Sequence, residues 1–336
     1  MKIAKEHIQP LLEQYHIYND IKEMVYFIEY YGGNDVLKTK VVAKVVFNDR
    51  NPVVIKLVND DRYSNHVIEE QSIFSEHLRT NGILTPKRFK VNDTYCIQTT
   101  IDDEVIAITV EEYIGEEIKE INSDIAYKIG ELFGRIHNIS ERDNCHICNK
   151  TIFDVMGYNE VSGYEKFIEL TKTGRLDKKL VTAIQEKYQN HIAELEKIWH
   201  QLPRYATQGD ISINNLSWVE GELAIFDYNI AGDEVLIGDM ILEALLTSYE
   251  MNMIDKNEDR MKVFTAFVQG YRTQRKLSTL EEKAFLHIYA ISDAFWFTKI
   301  IYNDNSLNKL IENENTQEIL VCLNQMLEIL NESCSM

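Results

Sequence analysis

Positive charge is the first thing this sequence has too little of. Its 336 residues carry 35 Lys and Arg against 54 Asp and Glu, a formal charge of −19. Such a surface repels both nucleic-acid phosphates and an anionic membrane leaflet, so neither is expected as a partner. Cysteine is also scarce: five in so long a chain is an odd number that argues against a disulfide framework and for reduced thiols. Cys145, His146 and Cys148 lie close together but lack a second half-site at zinc-like spacing, and they read as an ordinary loop. Charges break the apolar residues of the opening MKIAKEHIQPLLEQYHIYND every few positions, leaving neither a signal-peptide core nor a spanning segment, and a cytoplasmic location is expected. Internal repeats, low-complexity tracts and a G-x-G-x-x-G loop are missing as well.

The chain is nonetheless 45% apolar and long enough to bury more than one core, which predicts two packed lobes. After an amphipathic opening helix, MVYFIEYY, KVVAKVVF and PVVIKLV are rich in β-branched and aromatic residues and are separated by YGGND and NDRN turns. This pattern predicts a meander of three antiparallel strands over residues 24–58. VIEEQSIFSEHL then places Ile68, Ile73, Phe74 and Leu78 near helical spacing, with Asn81-Gly82 and Pro86 as a stop. Two further strands are expected at 95–99 and 105–113, around an Asp102-Asp103-Glu104 turn. Beyond Gly115 the pattern turns helical, beginning with the stripe Ile125, Ile129, Leu132, Phe133 and Ile136. The exception is residues 205–227, where two short apolar runs flank polar loops. The expected organisation is α+β: residues 1–114 form a small antiparallel-β lobe, and residues 115–336 a larger, mainly helical lobe.

The stretch that carries chemistry is Thr207-Gln208-Gly209-Asp210-Ile211-Ser212-Ile213-Asn214-Asn215, followed after a Glu220-Gly221 turn by Ile225-Phe226-Asp227-Tyr228. Phosphoryl transfer needs one carboxylate to accept or orient a hydroxyl proton, and an amide oxygen with a second carboxylate to hold Mg²⁺ against nucleotide phosphates. Asp210 suits the first role, Asn215 and Asp227 the second. A loop lets Asp210 and Asn215 converge, and a short hairpin returns Asp227 beside them. Upstream, Val53-Val54-Ile55-Lys56-Leu57-Val58 sets one lysine in an apolar strand, the arrangement by which kinases aim an ammonium at the α- and β-phosphates. Its partner is expected on the next helix, with Glu70 fitting better than Glu69 if Ile73, Phe74 and Leu78 face inward. Gly32 and Gly33 offer a turn through which backbone amides could approach phosphate.

These motifs, in this order, resemble the aminoglycoside phosphotransferase and choline kinase superfamily. Thr207 to Asn215 is similar to its signature loop, with Gln208 where that loop usually has His. Ile225-Phe226-Asp227-Tyr228 is similar to its metal-binding strand end, and Gly238-Asp239-Met240 to the aspartate that steadies the loop from beneath. Val110-Glu111-Glu112-Tyr113-Ile114-Gly115 resembles its hinge, where backbone groups near Glu111 and Tyr113 would bond a purine edge. His137 resembles a helix-end residue of the family and is read as structural. The resemblance implies a protein-kinase-like fold, ATP or GTP as donor, Mg²⁺, and a small hydroxylated acceptor such as an aminoglycoside, choline, homoserine or a sugar. A kinase-like protein that binds nucleotide without catalysis is the alternative. Glu243, Tyr249 and Glu250 on one helix, with Asp293, Phe295 and Trp296 on another, would suit an amine-bearing acceptor through ion pairs and cation–π contact.

Overall fold

The computed structural model describes residues 3–32, 36–101, 103–151, 155–156, 163–249 and 259–332. The chain forms two compact units that do not follow a single cut in the sequence. The first comprises Met1–Lys119 with two later insertions, Cys145–Asn149 and Ile213–Ala231; the second comprises Glu120–Asn144, Lys150–Ser212 and Gly232–Met336.

In the first unit, helix α1 (Lys5–Gln14) precedes the strands β1 (Ile21–Tyr31), β2 (Leu37–Phe47), β3 (Val53–Asp60), β4 (Ile97–Ile101) and β5 (Glu104–Glu112). They build one antiparallel sheet in the order β1-β2-β3-β5-β4, with Val45 opposite Val53 and Val54 opposite Glu111. The expected meander is present. Alternating Val41, Ala43, Val45, Val53, Ile55, Leu57, Ile106 and Ile108 face one core, closed by Ile8, Leu12 and Tyr15 of the α1 region. Between β3 and β4, Ser64 caps helix α2 (Asn65–Thr80) by accepting the Val67 N–H, and Gly82, at φ +85°, carries the chain out of it. The helix has the expected limits but a different rotation. Ile73 is 52% exposed, whereas Val67, Gln71, Ser72, Phe74, Ser75 and Leu78 are buried.

The last piece of this unit is the hairpin β7 (Leu216–Val219) and β8 (Glu222–Ile225). Hydrogen bonds fasten it to the rest of the unit: Ile118 N–H to the Leu216 carbonyl at 2.9 Å, and Ile225 N–H to the Leu84 carbonyl at 2.9 Å. Gly115, at φ +132°, permits the closest approach, because a Cβ there would lie 2.3 Å from the Ser217 hydroxyl.

The second unit is helical apart from the pair β6 (Arg204–Thr207) and β9 (Gly232–Val235). Its helices are α3 (Ser123–Arg142), α4 (Tyr164–Thr171), α5 (Lys178–Glu196), α6 (Leu236–Tyr249), α7 (Arg260–Gln274), α8 (Thr279–Ala294), α9 (Leu307–Glu312) and α10 (Thr316–Glu332). Helices α3 and α7 pack backbone to backbone. A Cβ on Gly130 would lie 2.0 Å from the Phe267 carbonyl oxygen, and one on Gly270 would lie 1.9 Å from that of Tyr127. At α8, Ser278 and Glu281 exchange side-chain and backbone hydrogen bonds in a capping box.

Candidate functional site

Within the first unit, a cavity of about 380 Å³ opens beneath the sheet. Ile28, Val42, Val54 and Phe226 give it apolar wall, Glu112, Glu116 and Glu117 line it as well, and Lys56, Glu111, Asn215 and Asp227 form a polar group. Apolar wall together with a charged group suits a purine carrying phosphates.

Lys56 is only 5% exposed. Its ammonium lies 3.0 Å from Glu111 Oε1 and 3.3 Å from Asp227 Oδ1. Burial alone would lower the lysine pKa, but the Asp227 and then the Glu111 carboxylates outweigh it and raise it above the ordinary value. Burial likewise penalises the Asp227 carboxylate, yet Lys56 and then Lys40 hold it below the usual range. Asp227 sits in the left-handed region at φ +58°, two residues after β8 ends at Ile225. The Phe226 N–H donates to the Asn215 carbonyl at 3.0 Å and so ties the two ends of the hairpin together. An amide and a carboxylate on neighbouring backbone form the hard-oxygen set that Mg²⁺ accepts. Among the described residues no group of three or more His, Cys, Asp and Glu side chains could hold a metal, so an ion here would draw its other ligands from water and nucleotide.

Glu70 is not the partner of Lys56. It accepts the Cys148 N–H at 2.8 Å and lies 3.3 Å from His66 Nε2, while Glu69 accepts the N–H groups of Tyr95 and Cys96 at 2.8 and 2.9 Å. The reason is the rotation of α2. With Ile73 outward, the buried position belongs to Gln71, whose amide donates to the Asn229 carbonyl at 2.8 Å and the Ala231 carbonyl at 3.1 Å. Glu111, expected through its backbone, also brings its side chain to Lys56. Its second oxygen lies 3.1 Å from Arg88 Nη2, and Arg88 Nη1 donates to the Ser72 hydroxyl at 2.9 Å. Glu111 and Arg88 were missed as a pair.

At the cavity mouth, the Tyr113 N–H donates to the Pro52 carbonyl at 3.0 Å. Strand alternation turns the next N–H the other way, and that of Ile114, which lines the cavity, has no acceptor among the described residues. The Tyr113 phenol donates to Glu116, and the Lys44 ammonium lies 3.6 Å above its ring. Gly32 bonds the Lys38 carbonyl through its N–H, and Gly33 lies outside the described residues.

Asp210 belongs to the second unit, on the loop that leaves β6. Gly209, at φ +80°, makes the turn before it. Gln208 is fully buried, and its amide oxygen accepts the Asp210 N–H at 2.8 Å, so it supports the loop backbone. Glu243 adds a second support that sequence reasoning missed. Fully buried on α6, it accepts the Ile211 N–H at 2.8 Å. The Thr207 hydroxyl donates to Asp239 Oδ1 at 3.1 Å, and Asp239 Oδ2 lies 3.1 Å from His137 Nε2. His137 Nδ1 lies 2.8 Å from the Tyr271 hydroxyl, which accepts from Arg275 at 3.2 Å. Burial pushes the Asp239 carboxyl up to about 7 and, with the Arg275 charge, pushes His137 well below its usual value.

The residues expected to receive a cationic acceptor are committed inside the fold. Glu243 holds the loop. Asp293 is buried, paired with Lys299 at 3.0 Å and Arg260 at 3.2 Å, and accepts hydrogen bonds from Tyr249 and Tyr289. Phe295 and Trp296 are core residues, and Glu250 lies outside the described residues.

The sequence matches no protein-family model and no curated protein. Solved structures resemble it over nearly its whole length. An amicoumacin kinase, solved with AMP-PNP, Ca²⁺ and a ligand designated Ami, superposes with a TM-score of 0.61 at 14% identity, covering 97% of this chain and 96% of that one. A microcompartment-associated aminopropanol kinase gives 0.57 at 12% identity, covering 97% and 95%. A spectinomycin phosphotransferase, solved with ADP and spectinomycin, gives 0.53 at 13% identity, covering all of both chains. At such identities the likeness is one of architecture: the chain has the protein-kinase-like fold on which these small-molecule phosphotransferases are built.

Proposed function

We propose that the protein is a small-molecule kinase that transfers the γ-phosphoryl group of a nucleoside triphosphate, ATP or GTP, to a hydroxyl of a small acceptor. The observation that carries this reading is the buried Lys56, held among carboxylates in a partly apolar cavity that Asn215 and Asp227 also line. Lys56 would bind the α- and β-phosphates, and the N–H of Ile114 would meet the purine edge. Asn215 and Asp227 would hold Mg²⁺, which when bound offsets the charge that develops on the phosphate oxygens. Asp210 would take the proton of the acceptor hydroxyl as its oxygen bonds to the γ-phosphorus and the bond to the β-phosphate oxygen breaks. Gln208 and Glu243 would fix the loop that presents it. The nucleotide is thereby assigned to the residues of the N-terminal sheet, and the acceptor to the helical residues beyond 115.

Amine-bearing hydroxyl compounds head the acceptor panel on the strength of the structural neighbours, which include kinases of amicoumacin, aminopropanol and spectinomycin. The acids that favoured a cationic acceptor from sequence no longer support it. The test is nucleotide consumption across aminoglycosides, choline, ethanolamine, homoserine and simple sugars, with Asp210→Asn and Asp227→Ala beside the wild type. Asp210→Asn should lower turnover at least about a hundredfold with nucleotide affinity kept within about threefold. Asp227→Ala should lose most of the tightening that Mg²⁺ gives to nucleotide binding. Undiminished product from Asp210→Asn would refute the assignment. Nucleotide binding with no acceptor-dependent turnover in a broad panel would favour a non-catalytic nucleotide-binding protein.

A further inference from the structure

Every acid on helix α2 is committed away from the cavity. Glu69 caps the backbone at Tyr95 and Cys96, Glu70 takes the Cys148 N–H, and Glu76 pairs with Arg79. The buried face of the helix presents the neutral Gln71 and Ser72. The carboxylate that meets Lys56 comes from the sheet instead. Register places Val54 opposite Glu111 and Lys56 opposite Thr109, so positions 54, 56, 109 and 111 share one face, and Lys56 reaches Glu111 along the diagonal. Both side chains are almost wholly buried, at 6% and 5% exposure, with the ion pair at 3.0 Å. Arg88, held beside Glu111 by an isolated antiparallel bridge, engages the other carboxylate oxygen. Two cations and two anions, Lys56, Arg88, Glu111 and Asp227, thus form one cluster, in which Lys56, Arg88 and Glu111 are buried and Asp227 is about a quarter exposed.

We propose that Glu111, and no acid of α2, is the residue that positions Lys56 for the nucleotide phosphates, so that the lysine is set by the sheet itself. The inference rests on reading Lys56 as the phosphate-binding lysine. It has a mechanical consequence. A lysine paired across two adjacent strands keeps its orientation whether or not the neighbouring helix moves, so the phosphate site is formed before nucleotide arrives. It also leaves Asp227 only partly occupied by Lys56. Without Glu111, the ammonium would turn to Asp227, the residue that a cation needs.

Calorimetric binding of AMP-PNP and of adenosine separates positioning from general damage, because adenosine has no phosphate for Lys56 to meet. Glu111→Gln should weaken AMP-PNP about tenfold or more while adenosine binding stays within about twofold, and Glu70→Gln should change neither. In a Lys56→Met background, Glu111→Gln should cost little further AMP-PNP affinity, since it acts through the lysine. If Glu111→Gln does not fold because Arg88 loses its partner, Glu111→Gln with Arg88→Met, which removes both charges of that pair, is measured in its place. AMP-PNP affinity unchanged in the Glu111 variant, an equal loss in Glu70→Gln, or an undiminished cost in the Lys56→Met background would each overturn the proposal. If Lys56→Met itself leaves AMP-PNP binding unchanged, the nucleotide site as assigned fails, and the positioning role fails with it.

Discussion

Gly270→Ala should destabilise the helical unit, although intrinsic propensity argues the reverse. In an exposed helix the exchange would gain about 1 kcal/mol. Here the new methyl would start 1.9 Å from the Tyr127 carbonyl oxygen and 2.8 Å from its carbon, both backbone atoms with no rotamer to escape into. Ordinary contact begins near 3.4 Å, so α3 and α7 must part by about 1.5 Å along their closest approach. Overpacking of this kind costs about 1–3 kcal/mol, and a backbone obstacle puts it at the upper end. After the propensity gain, a net loss of about 2 kcal/mol remains, or about 3 °C in a thermal unfolding midpoint for a chain of 336 residues. Gly130→Ala meets the Phe267 carbonyl at 2.0 Å and should behave alike. Because one separation of the helices admits both methyls, the double variant should lose clearly less than the sum of the two. Differential scanning calorimetry of the four proteins decides the matter. A midpoint for Gly270→Ala equal to or above wild type would refute the reasoning, and strict additivity would refute the shared-separation part of it.

Two further outcomes follow from buried charge. The raised Asp239 contributes stability that is lost as pH rises from about 4 toward 7, and the lowered His137 contributes stability that is lost as pH falls below about 6.5, so the two slopes oppose each other. His137→Asn leaves the Asp239 slope alone, and urea-unfolding free energies between pH 4.5 and 6.5 should fall relative to wild type by on the order of 1 kcal/mol per pH unit; parallel curves would count against the pairing. Asp293→Asn strands the mostly buried Arg260 and Lys299, and should cost about 3 kcal/mol in the same assay, whereas a change under about 1 kcal/mol would show that the cluster has another source of neutrality.

Much of this could be read from residue order, because β-branched runs and turn residues act locally. The β1–β2–β3 meander, the limits of α2 and the hairpin that brings Asp227 back to Asn215 all follow from short-range pattern. The rotation of α2 did not. Its buried face carries Gln71, Ser72 and Ser75, so an apolar stripe drawn through Ile73 points the wrong way and selects Glu70. Glu111 was hidden for a different reason: a diagonal across two strands depends on their register, which neither strand shows alone. A usable signal was present, since an acid inside the apolar run ITVEEY and a lysine inside VVIKLV each need a buried counter-charge. The same rule applies to Glu243 within MILEALL. A carboxylate with three apolar residues on either side in a helix belongs to the interior, not to a binding surface.

The interleaving of the two units also sets an order of assembly on the ribosome. Strands β1 to β5 emerge together and can pair at once, but the hairpin with Asn215 and Asp227, which completes the same unit, lies beyond residue 212. At about 5–20 residues per second, it arrives roughly five to twenty seconds after the sheet is finished. Until then the nascent sheet has Lys56 and Glu111 but lacks both proposed metal ligands, and the Leu84 and Ile118 backbone groups that will hold the hairpin still face water. Any fragment that stops short of residue 231 inherits that gap, so a contiguous N-terminal fragment holds only part of the first unit. Separating the two units genetically would require joining the hairpin back to residue 119 by a new linker.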